Sequence, residues 1–131
     1  MKSTLDQSKQ RGGMFWAEWV LTVLPAGLLL FSAASKFVGG EAVTKGFAHL
    51  GWPEKLAKPL GFVEATCAIL LLIPKTTVLG AVLVTGYMGG AMATHTRIGE
   101  LWVLQMLVGV VAWLGVFLRE PRLRALLPLR K

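Results

Sequence analysis

Three stretches of the chain run without a single charge: Trp19 to Ser35, Thr76 to Thr96 and Leu101 to Leu118. Each is close to the roughly 20 residues that cross a hydrocarbon core. A fourth, Pro59 to Pro74, is interrupted only by Glu64. Within these runs polar positions do not recur with the 3.6-residue period of a water-facing helix, which argues against a soluble bundle and predicts four transmembrane helices. The expected fold is all-α, an integral membrane four-helix bundle.

Punctuation supports the same division. Pro59 suits the first turn of the second span, where its missing N–H is not needed, and Pro74 closes that span before a short turn at Lys75, Thr76 and Thr77. Spans two and three therefore read as an antiparallel hairpin. Pro25 lies inside the first span and predicts a local kink. Trp16, Trp19 and Trp102 stand where interfacial anchors belong. The connection Phe37 to Lys58 is too polar to cross. In it Val43, Phe47 and Leu50 recur at helical spacing while Glu41 and Lys45 can pair at i, i+4, which predicts a short amphipathic helix on the membrane surface. Gly51, Trp52 and Pro53 end it. The organisation expected is an N-terminal arm (1–15), a transmembrane domain (16–118) and a basic tail (119–131).

Composition changes the picture in one respect. The 131 residues are 54% hydrophobic and 16% charged, with a net charge of +7; soluble domains carry about 25% charged residues. A basic excess can mark nucleic-acid binding, but such proteins gather their cations on a solvated face, whereas here long stretches contain no charge. Four crossings put both termini on one side. That side holds Lys2, Lys9, Arg11, Lys75, Arg119, Arg122, Arg124, Arg130 and Lys131, against Lys36, Lys45, Lys55, Lys58 and Arg97 on the other. Positive residues concentrate on cytoplasmic flanks, so both termini are expected in the cytoplasm, with the tail also placed to meet anionic headgroups.

With that topology the candidate chemistry collects in the outer leaflet. An ionisable residue inside a membrane helix is costly and is a functional-site candidate by default. Glu64 is the clearest, with Lys36, His95 or Arg97 as its expected partner, and Gln105 just over one turn into the fourth span. The simpler alternative is a buried ion pair that locks helices together. His95 and His49 are the only histidines and a single well-placed His is a poor metal site, so no metal is expected. Cys67 is the only cysteine, which excludes an internal disulfide and a CxxC pair, and it reads as a packing residue. Gly86, Gly89, Gly90, Gly109 and Gly115 read as helix-packing positions, Gly86 and Gly90 in small-xxx-small spacing, with a homodimer interface as the sharper alternative.

The runs Leu29 to Phe37, Gly46 to Pro53, Gly61 to Glu64, Leu70 to Thr76, Gly86 to His95 and Trp113 to Arg124 together resemble the DoxX-like family of small bacterial membrane proteins. The resemblance covers roughly residues 16 to 128. It implies a four-helix membrane bundle in the bacterial inner membrane and an association with quinone-linked or thiol-linked redox systems, and it maps the family's recurring Lys, Glu and His onto Lys36, Glu64 and His95. Thiol chemistry needs paired cysteines, which this chain lacks.

Two functions follow as expectations. One is a non-catalytic subunit or accessory partner of a membrane redox system, suited to the small size and the absence of a nucleophile–base constellation. The other is a pocket around Lys36, Glu64 and His95 that binds or reduces a quinone or another lipophilic molecule. Transport is disfavoured because the polar groups stop at mid-membrane.

Overall fold

The computed structural model describes residues 4–130, and for residues 5–11 the backbone alone. Lys2, Lys131 and the side chains of Lys9 and Arg11, which enter the charge partition, lie outside the described residues. All regular structure among the described residues is helical: α1 (Thr4–Val38), α2 (Glu41–Leu50), α3 (Ala57–Leu72), α4 (Thr77–Arg97), α5 (Val103–Arg119) and α6 (Pro121–Leu126), with short 3-10 turns at Glu54–Leu56 and Pro74–Thr76.

The four long helices close a ring. α1 packs on α3 and α5, and α4 packs on the same two from the opposite side. Small and branched residues fill the centre, with Ala26, Leu29, Leu71, Ala81, Val84, Ala112 and Val116 all buried. Close backbone approach supplies packing where burial of apolar surface cannot drive association. A Cβ added at Gly80 would stand 2.3 Å from Leu71 N, and one at Gly115 would stand 2.9 Å from Thr22 Oγ1. α1 continues unbroken through Pro25, which is fully buried at this packed centre. From Thr4 onward the backbone is helical and continuous with the apolar part of α1.

The outer surface is where the apolar residues lie. Trp16, Phe31, Phe62 and Leu104 are all more than three-fifths exposed. Gly12–Val38 and Pro74–Arg97 are long and apolar enough to cross a membrane, yet only 22% and 28% of their most apolar windows are buried. A core helix of a water-soluble protein hides its apolar face, whereas these turn theirs outward. α5, at 17 residues, is a shorter apolar helix.

The surface helix α2 lies across one end of the ring. Glu41 and Lys45 pair on its exposed side at 2.6 Å, and Phe47 is buried. Gly51 takes φ 75°, a left-handed conformation that glycine adopts without strain. Its N–H donates to Ala48 O and that of Trp52 to Phe47 O, which ends the helix and turns the chain towards α3.

At the opposite end Arg119 stacks 4.8 Å above the Trp19 ring and donates to Thr77 Oγ1 at 2.8 Å. Three helices are tied there. The tail folds back as α6: Glu120 accepts from the Arg122 backbone and side chain, which holds its carboxyl below the usual range. Arg124 donates to the Phe117 and Leu118 carbonyls at the end of α5, groups that a helix terminus leaves without partners.

Candidate functional site

Ser32 and Lys36 are one turn apart and so share a face of α1. Opposite them, Gly61 is nearly one turn before Glu64 on α3. A Cβ at Gly61 would meet Lys36 Cβ at 3.1 Å and Ala33 O at 3.3 Å, so the glycine brings α3 close enough for a short ionic contact. Lys36 Nζ donates to Glu64 Oε2 at 2.7 Å and to Ser32 Oγ at 2.7 Å. The Glu64 side chain is 3% exposed and that of Lys36 16%. Of the partners expected for Glu64, Lys36 is the one in contact. Tyr87, on α4, stands beside the same carboxylate.

A second polar group faces this pair across the bundle. His95 Nδ1 lies 2.8 Å from Ala91 O, one turn earlier on α4, and His95 Nε2 lies 3.4 Å from Gln105 Nε2 on α5. Glu100, in the connection between those helices, has Oε2 3.9 Å from His95 Nε2 while its Oε1 contacts His49 on α2.

Between the two groups is a cavity of about 480 Å³. Lys36, Glu64, Tyr87, His95 and Gln105 line it, together with Phe47 and Leu50 from α2, Trp52, Leu60 and Met88. Four of the five polar residues expected in one pocket thus share it. Arg97 does not. Its guanidinium donates to Leu50 O and packs against Gly51, because the end of α2 leaves that carbonyl unpaired and in reach. Among the described residues no three His, Cys, Asp or Glu side chains are grouped to hold a metal.

The glycines divide in a way their spacing did not reveal. Gly86, Gly89 and Gly90 were expected at helix contacts, but an added Cβ at any of them meets nothing within 4 Å. Gly86 and Gly90 instead border the cavity, and Gly89 borders a shallower groove with Met92, Met106 and Trp113. Gly109 makes only a distant contact, 4.0 Å to Met88 Cβ, whereas Gly115 is tightly packed. Gly61 was missed as a packing residue. Its position nearly one turn ahead of the only acid in α3 was the available signal.

An all-helical bundle with its apolar residues turned outward and a buried ion pair at the head of a cavity defines the class as a helical membrane protein. The chain belongs to the DoxX-like family, whose model matches residues 20–118. No curated protein and no solved structure matches it.

Proposed function

We propose that this chain is a four-span protein of the bacterial inner membrane that binds a small lipophilic molecule in the cavity between α1, α3, α4 and α5. The observation that carries the reading is the buried Lys36–Glu64 pair at the head of an otherwise largely apolar cavity. Ligand sites are mostly apolar with a few placed polar groups, and a charged pair in such a place is expensive to retain. The open flank at Gly86 and Gly90 gives a lateral route from the outer leaflet, and α2 covers the aqueous side.

A quinone headgroup suits the donor set. Lys36 and Tyr87 would hold one of its carbonyl oxygens, and the walls at Leu60 and Met88 would take the ring. A bound quinone would supply two-electron redox chemistry; the residues of this chain would bind it, orient it and keep water away. Gentle purification followed by mass analysis of the extracted small molecules tests the reading. The wild-type protein is expected to carry a stoichiometric lipophilic compound and Glu64→Gln to lose it while remaining folded. Loss of stability with no compound in either protein would leave the pair a purely structural lock.

A second reading, an accessory subunit that docks a membrane redox partner or a second copy, is favoured by the uncovered α4 face at Gly86, Gly89 and Gly90. The topology is open to a separate check. With Cys67 buried, a membrane-impermeant maleimide is expected to label Lys58→Cys on intact spheroplasts and Arg124→Cys only after permeabilisation. The reverse pattern would invert the assigned orientation.

A further inference from the structure

We infer that Met88, Met92 and Met106 form a thioether site for a soft monovalent cation, Cu(I), in the groove between α4 and α5. The site does not use the polar groups of the cavity and stands or falls independently of the ligand proposed there. Of the chain's five methionines, these three line one groove of about 350 Å³, together with Gly89, Gly109 and Trp113.

Two contacts fix the register of the helices. Trp113 Nε1 donates to Thr85 Oγ1 at 2.5 Å, and a Cβ added at Gly109 would stand 4.0 Å from Met88 Cβ. The two helices run antiparallel, so each step forward on α4 is matched by a step back on α5. Thr85 opposite Trp113 and Met88 opposite Gly109 therefore carry Met92 to the level of Met106. Met88 and Met92 are i, i+4 on one face of α4, and Met106 and Gly109 are i, i+3 on the facing side of α5. The glycines keep the space between these rows open: a Cβ at Gly89 meets nothing within 4 Å, and Gly109 has only its distant contact with Met88. Methionine is unbranched with three rotatable bonds, so the three sulfurs can turn into that space.

The other polar side chains of the groove are committed. Thr85 accepts from Trp113 and donates to Ala81 O at 2.8 Å. Gln105 turns its amide nitrogen to His95, and its oxygen is sealed within the protein. Sulfur is what remains, in a groove whose lining carries no carboxylate, imidazole or thiol. Hard cations such as Ca²⁺ and Mg²⁺ take oxygen ligands, whereas thioethers select Cu(I). A single charge is also less costly to bring into apolar surroundings than the two of Zn²⁺ or Cu²⁺. The histidine count that argued against a metal does not bear on thioether donors.

The test is a Cu(I) titration of the full chain in detergent, under ascorbate, with bicinchoninate as the competing chelator. The wild type is expected to take up one equivalent. Changing even an outer partner of a metal ligand costs about 10- to 100-fold in affinity, so Met92→Leu and Met106→Leu, which each remove a ligand, are expected to weaken binding by at least about tenfold. The three substitutions Met88→Leu, Met92→Leu and Met106→Leu combined are expected to abolish it, and Met14→Leu to leave it unchanged. Leucine conserves the volume of methionine, so packing is retained while sulfur is removed. Thioethers hold no proton, so the affinity, corrected for the chelator, is expected to be equal at pH 8 and pH 6. A site at Cys67, His49 or His95 would weaken in acid, because those ligands must lose a proton to bind. No stoichiometric uptake by the wild type overturns the inference, as does uptake that survives the triple substitution or falls in acid. Should the triple variant not fold, the single variants decide, and wild-type affinity in both Met92→Leu and Met106→Leu defeats the inference. A protein that takes no Cu(I) but still carries a compound in its cavity overturns this inference alone.

Discussion

Lys36→Met is expected to destabilise the folded protein by about 3–5 kcal/mol, the cost of removing one partner from a buried pair. The methionine fills the space of the lysine stem but leaves the Glu64 carboxylate with neither its cation nor an equivalent donor, and that side chain is only 3% exposed. Denaturation in mixed micelles, followed by far-ultraviolet circular dichroism, measures the loss. The double variant Lys36→Met, Glu64→Leu is expected to regain most of it, because a well-packed apolar pair replaces buried charges at little or no net cost. A single variant as stable as the wild type would mean that water reaches the carboxylate. Glu64→Gln differs from both, since its amide oxygen still accepts from Lys36; this is why it serves as the binding variant and Lys36→Met as the stability variant.

Gly80→Ala is expected to have the second-largest effect. The added Cβ would lie 2.3 Å from Leu71 N, 2.5 Å from Leu71 Cα and 2.6 Å from Leu70 C. These are backbone atoms of α3, so no rotamer change relieves the clash and the α3–α4 hairpin must open. Overpacking of this kind costs about 1–3 kcal/mol, and more where the backbone is fixed. Gly89→Ala, on the same helix with open space around it, is the matched comparison. It is expected to be neutral or to stabilise by up to about 1 kcal/mol through helix propensity alone. Equal effects of the two variants in the same denaturation assay would show that α3 and α4 do not meet closely at Gly80.

The contrast between these glycines also marks how far the amino-acid pattern carries. Charge-free runs bounded by Pro59, Pro74 and the Glu41–Leu50 periodicity identified the helices, because length, hydropathy and proline chemistry are local properties. Depth counted along each helix places Lys36, Glu64, His95 and Gln105 at one level. Rotation about the helix axes was not legible. Gly86 and Gly90 have the same small-xxx-small spacing whether they face a neighbour or a void, and only the positions of α2 and α3 decide. Arg97 likewise matched the depth of the pocket but was diverted by a carbonyl that exists only where α2 ends.

The unequal lengths of the helices have a consequence for the surrounding lipid. α3, with 16 residues, is about 24 Å long at 1.5 Å per residue, whereas α1 is a helix of 35 residues and about 52 Å. If α3 crosses the bilayer, as proposed, it falls short of the roughly 30 Å hydrocarbon thickness, and each ångström of such mismatch carries a fraction of a kcal/mol. Under that topology the protein would sit with least strain in thin bilayers.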